Sequence, residues 1–90
     1  MATRKFVKYR NRKIHEDGSA EAYVSMADLG DIVATGAEVE VVDDSTGDDL
    51  TVLTLARILY ERCREGYAVR PRDIQKIIVD GTKPRTSKAA

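Results

Sequence analysis

Six cations, Arg4, Lys5, Lys8, Arg10, Arg12 and Lys13, fall within the first fifteen residues, with no Asp or Glu among them. Cations this dense attract phosphodiester oxygens, and each contact formed releases a condensed counterion. Asn11 sits between two of the arginines. Its amide could read an adenine edge as arginine reads guanine, or it could simply shape a turn. Both uses stay open at this point. Arg4, Lys5, Lys8, Arg10, Asn11, Arg12 and Lys13 are therefore the candidate DNA-contacting residues. Catalysis fits poorly. No serine or cysteine has a recognisable base partner, and Gly30, Gly36 and Gly47 are scattered rather than gathered into a phosphate loop. His15 and Cys63 are the single His and Cys, without ligand spacing, so neither a metal site nor a cofactor is expected. The acidic run Asp43–Asp49 does not match a calcium-binding loop and reads as a turn.

The chain has 15 Lys plus Arg and 15 Asp plus Glu, a formal net charge of zero. That zero conceals three blocks: +6 over residues 1–15, −11 over 16–50 and +5 over 51–90. Local charge governs encounter, because charges farther apart than about 8 Å are largely screened in physiological salt. Two outcomes compete. The basic arm either pairs internally with the acidic stretch or stays free for an anionic partner. With 90 residues, 42% apolar and 33% charged, the chain suits one small domain that draws stability from a partner chain. No apolar run is long enough to span a membrane, and the basic start lacks the apolar segment of a secretory signal. A single cysteine fits a reducing cytoplasm.

The elements that would position the arm can be read from local patterns. Phe6–Tyr9 and Arg12–His15 are β-prone runs separated by Arg10-Asn11, which is hairpin spacing with Asn11 suited to the left-handed turn position. Ala22–Ser25 can return as a third strand. Ser25 and Asp28 match a capping box ahead of a helix over 26–35, with Met26, Leu29, Ile32 and Val33 at helical spacing and Gly36 as its stop. Val39–Val42 alternates as a strand with Glu38 and Glu40 outward. A long helix from near Thr51 carries the stripe Val52, Leu55, Ala56, Leu59 and Cys63, which also places Cys63 in packing rather than in chemistry. A second stripe, Leu53, Tyr60 and Tyr67, exceeds what a small sheet can cover, and these three are the candidate dimer interface. Pro71 opens a short last helix marked by Ile74, Ile77 and Ile78.

Three segments together resemble the N-terminal DNA-binding domain of bacterial polyhydroxyalkanoate (polyhydroxybutyrate) accumulation regulators. Lys8, Tyr9, Asn11, Arg12, Lys13 and Ile14 keep the first motif. Tyr23, Val24, Ser25, Met26, Asp28 and Leu29 keep the second, and Val41, Asp43, Thr46, Gly47, Asp48, Asp49, Leu50 and Thr51 keep the third. The similarity runs from about Arg4 to Glu65. Arg10 replaces the proline usual in the first motif, His15-Glu16 replaces Tyr-Asp, and Val52 replaces an arginine. Family members carry a polymer- or granule-associating part beyond this domain. These residues neither require nor exclude polymer or another effector as a partner.

The expected fold is α+β: an N-terminal hairpin or short sheet, a capped helix, a short strand and turn, a long amphipathic helix used for dimerisation, and a short C-terminal helix. Residues 1–80 form one domain and 81–90 a basic disordered tail. The expected function is that of a small bacterial DNA-binding protein, a transcriptional regulator or repressor or a nucleoid-associated factor. It would bind double-stranded DNA as a homodimer in the cytoplasm, without catalysis. The competing expectation is an adaptor whose basic arm grips an acidic protein or another anionic ligand.

Overall fold

The structure is a computed structural model that describes residues 3–18 and 23–82. Among these residues, three strands, β1 (Arg4–Lys8), β2 (Ile14–Glu16) and β3 (Val39–Asp43), combine with three helices, α1 (Met26–Ala34), α2 (Thr51–Arg64) and α3 (Pro71–Gly81). The fold is α+β. β1 is the central strand, antiparallel to β2 and parallel to β3, which gives the sheet order β2-β1-β3. The parallel pair requires a crossover, and α1 lies on that connection.

Alternation along the strands decides which side chains enter the core. Phe6, Ile14 and Val41 are buried on one sheet face, where Leu29 of α1 and Ile58 of α2 close over them. Met26, Ile32 and Val33 pack at the margin of this cluster, as their helical spacing predicted. Gly30 is also buried, and a Cβ there would meet Ile58 Cγ2 at 3.2 Å, so the glycine permits the close approach of α1 to α2.

Several local expectations hold. Ser25 caps α1: its hydroxyl accepts from the Asp28 N–H at 3.0 Å, while the Asp28 carboxylate accepts from the Ser25 N–H. Asp43 Oδ1 accepts from the Ser45 and Thr46 N–H groups and thereby shapes the acidic turn. The start of α2 is fastened to the central region. The Thr51 hydroxyl accepts from the Val41 N–H at 2.9 Å and donates to Asp49 at 2.6 Å, while the Leu50 N–H donates to Val41 O at 2.7 Å.

Other expectations are corrected. Only Val24 of the expected third strand bridges β2, pairing with Ile14; Ala22 lies outside the described residues, as does the tail beyond Thr82. The buried residues of α2 are Thr54 and Ile58, not the Val52–Cys63 stripe. Val52, Leu55 and Ala56 of that stripe are exposed and Leu59 is half-buried, while Cys63 is exposed rather than packed. The reason is steric and local. Anchoring Thr51 to Val41 fixes the rotation of α2, and the positions three and seven residues on then face the sheet. α3 has no buried residue. Among the described residues, no helix is long and apolar enough to cross a membrane.

Candidate nucleic-acid interface

The hairpin tip is built differently from the two-residue loop that the sequence suggested. The Tyr9 N–H donates to Lys13 O at 2.9 Å and the Arg12 N–H to Tyr9 O at 2.8 Å, closing a loop of Arg10, Asn11 and Arg12. This is the three-residue type, in which the last loop residue takes the left-handed conformation. Arg12 takes it, with φ of 69°, and is the non-glycine residue with positive φ among those described. Asn11 instead folds back: its Oδ1 accepts from the Lys13 N–H at 3.0 Å, an Asx turn. The turn role of Asn11 is therefore visible in the geometry.

Arg12 in this conformation carries a cost of roughly 1 kcal/mol that glycine avoids. Arg12→Gly should accordingly raise the midpoint of urea unfolding while removing one cation from the tip. A variant no more stable than the parent would show that the loop does not hold Arg12 in this conformation.

The arm cations divide by position. Arg4, at the far end of β1 from the tip, forks onto Glu16 with both hydrogen bonds at 2.9 Å. That hydrogen-bonded pair holds the Glu16 carboxyl below the ordinary carboxylate range and raises Arg4. A lowered carboxyl contributes stability that is complete above its unfolded pKa and is lost as pH falls through its folded one. Glu16→Gln should therefore flatten the acid limb of a stability–pH profile, and an unchanged limb would deny the pair any role. Asp43, through the Thr46 and Ser45 amides, and Asp49, through Thr51, are lowered in the same direction and shape the rest of that limb.

Lys5, Lys8, Arg10, Arg12 and Lys13 form no ion pair with a carboxylate among the described residues; the pairs present there involve Arg4, Arg57, Arg62, Arg70 and Lys76. The acidic stretch thus neutralises one end of the arm and leaves the tip unpaired. Lys8 and Arg12 border a cleft of about 610 Å³ between the hairpin and helices α1 and α2. On the opposite wall Arg62 is paired with Asp31 at 2.9 Å, and Arg57 with Glu61 at 2.9 Å.

The sheet face away from the helices carries a second group that sequence reasoning did not assemble. Pairing of Val7 with His15 and of Lys5 with Glu40 places these residues there, together with Tyr9 and Val42. The Tyr9 and His15 rings meet edge to face at 5.3 Å. Lys13 Nζ lies 4.9 Å from the centre of the Tyr23 ring. Tyr23, which the sequence offered only as part of a motif, thus joins Lys13 beside the tip. The signal was the alternation itself: with Ile14 buried, its neighbours Lys13 and His15 must point the other way. Among the described residues, no group of three His, Cys, Asp or Glu side chains is placed to hold a metal ion.

A profile of the PHB/PHA accumulation regulator DNA-binding domain matches residues 6–66. The chain belongs to this family. The match runs from Phe6 in β1 through α2 and its C-terminal turn, so the whole hairpin tip lies within it and only Arg4 and Lys5 of the basic arm fall outside. It stops before α3, which therefore lies outside the matched part of the PHB/PHA accumulation regulator domain. Leu53, Tyr60 and Tyr67, the candidate interface residues, are all more than half exposed. No curated protein and no solved structure matches the chain.

Proposed function

We propose that this chain is a transcriptional regulator that binds double-stranded DNA as a homodimer and acts as a repressor in the bacterial cytoplasm, at the nucleoid. It carries out no catalysis and uses no cofactor. One observation supports this reading above the others. In a chain with as many acids as cations, Arg10, Arg12 and Lys13 at the hairpin tip form no ion pair with any described carboxylate, and neither does Lys8 beside them, which lies opposite Asp43 in the sheet.

The hairpin loop, Tyr9–Lys13, lies beyond the last β1–β3 pair, Lys8 with Asp43; that loop enters the major groove, and its cations reach the flanking phosphates. Lys8, Arg10, Arg12 and Lys13 supply the sequence-independent grip. Asn11 is occupied by its turn, so base reading falls to Arg10 and to the open face around Tyr9 and His15. Arg4, held by Glu16, sets the hairpin rather than contacting phosphate, and Lys5 lies on the open face toward one edge of the groove.

Selection of duplexes from a randomised pool tests the reading. A two-fold dimer should enrich an inverted repeat with half-site centres about 34 Å apart, or a multiple of that spacing. Recovery of unenriched sequences would replace a site-specific regulator with a general nucleoid factor, and no recovery at all would favour an acidic protein as the partner.

A further inference from the structure

We propose that α3 of one copy packs on the outward apolar face of α2 of a second copy, so that the two chains exchange their C-terminal helices. This inference rests on the homodimer proposed above and specifies how it is held together.

The polarity of α2 is inverted for a helix of a lone domain. Its charged residues Arg57, Glu61 and Arg62 line the cleft on the body side, beside buried Ile58. At 100° per residue, Val52, Ala56, Leu59 and Cys63 lie on the side away from Thr54. Val52 is 77% exposed and Leu53 65%. A helix that turns charge toward its own body and an aliphatic stripe toward water is missing a partner.

α3 presents the complementary half. Ile74, Ile77 and Ile78 share one face at helical spacing, and Asp73, Lys76 and Asp80 lie off it. Ile77 and Ile78 are both more than half exposed. α3 does not fold back onto its own α2. The connection leaves in a defined direction: the Tyr67 N–H donates to Arg62 O at 3.0 Å, the Arg62 guanidinium lies 4.7 Å from the centre of the Tyr67 ring, and Gly66 has φ of 102°.

Val52, Leu53, Leu55, Tyr60, Ile77 and Ile78 each keep a third or more of their surface uncovered within one copy, and a stable interface draws on the order of 800 Å² from each partner. A two-fold exchange covers both faces in one closed interface, α2 on the partner's α3 and α3 on the partner's α2. The exchange also connects α3 to DNA binding without contact, because it fixes the spacing of the two hairpins.

The test uses two full-length variants, Val52→Glu/Ala56→Glu on α2 and Ile77→Lys/Ile78→Lys on α3. All four side chains are exposed within one chain, so neither change disturbs the body. In sedimentation equilibrium the parent should weigh twice the 10.0 kDa chain, each variant should be a monomer, and an equimolar mixture should return to the dimer. A monomeric parent would overturn the dimer and the exchange together. A dimeric parent whose variants stay dimeric alone, or fail to recombine, would leave the dimer standing and overturn the exchange. Should a variant fold poorly, Ala56→Cys and Ile78→Cys on separate chains in a Cys63→Ser background read the same contact. The mixed disulfide is expected on oxidation, and its absence would overturn the exchange.

Discussion

Replacing Phe6 with Ala should leave the chain largely unfolded at room temperature. Phe6 is fully buried at the centre of the middle strand, paired with Glu16 on one side and Val41 on the other, and clusters with Ile14, Leu29 and Ile58. Truncating a buried phenylalanine costs about 3–5 kcal/mol through lost transfer energy and the cavity left behind. Domains of ordinary size have only about 5–15 kcal/mol of stability in total, and a core with five buried hydrophobic residues among those described belongs near the lower end. Loss of the cooperative thermal transition is the expected readout. Phe6→Leu, which keeps most of the volume, should restore it. A Phe6→Ala chain that melts like the parent would mean that another cluster holds the fold.

The second large effect concerns the tip. Arg12→Ala with Lys13→Ala should weaken duplex binding on the order of 10- to 100-fold near 0.1 M salt, and reduce the salt slope of log K by about 0.9 for each lost phosphate contact. The loss should be uniform across sequences, because phosphate contacts carry no base information. Stability should barely change, since neither side chain forms an ion pair with a described carboxylate and the Lys13–Tyr23 contact is solvent-exposed. Unaltered binding by the folded double variant would shift the contact surface toward the basic residues of α3, Arg72 and Lys76.

What the sequence made legible were the interactions closed within a few residues. The Ser25–Asp28 box, the Asp43 turn and the Pro71 start of α3 each depend on groups three positions apart or fewer. The Asp49-Leu50-Thr51 motif was recognisable as a pattern, and its physical sense emerged only with Val41 opposite, where the Thr51 hydroxyl and the Leu50 N–H fasten α2 to β3.

What failed was the choice between faces. Periodicity established that α2 has an apolar stripe but not that Thr54 and Ile58 would face the sheet, because that rotation is set by the long-range Thr51–Val41 contact. The same limit hid the group around Tyr9, His15 and Tyr23, which only strand pairing assembles. At the tip, the sequence distinguished poorly between a two-residue and a three-residue loop. The longer one won, with Asn11 accepting the Lys13 N–H and Arg12 taking the positive φ.

The central claim, that the unpaired hairpin tip grips duplex DNA, is tested most directly by fluorescence anisotropy of a labelled duplex titrated with the full chain at a series of salt concentrations. Log K should fall linearly with log salt, with a slope of about −3.6 for each hairpin that engages four phosphates. No binding at low salt, or an affinity indifferent to salt, would contradict it.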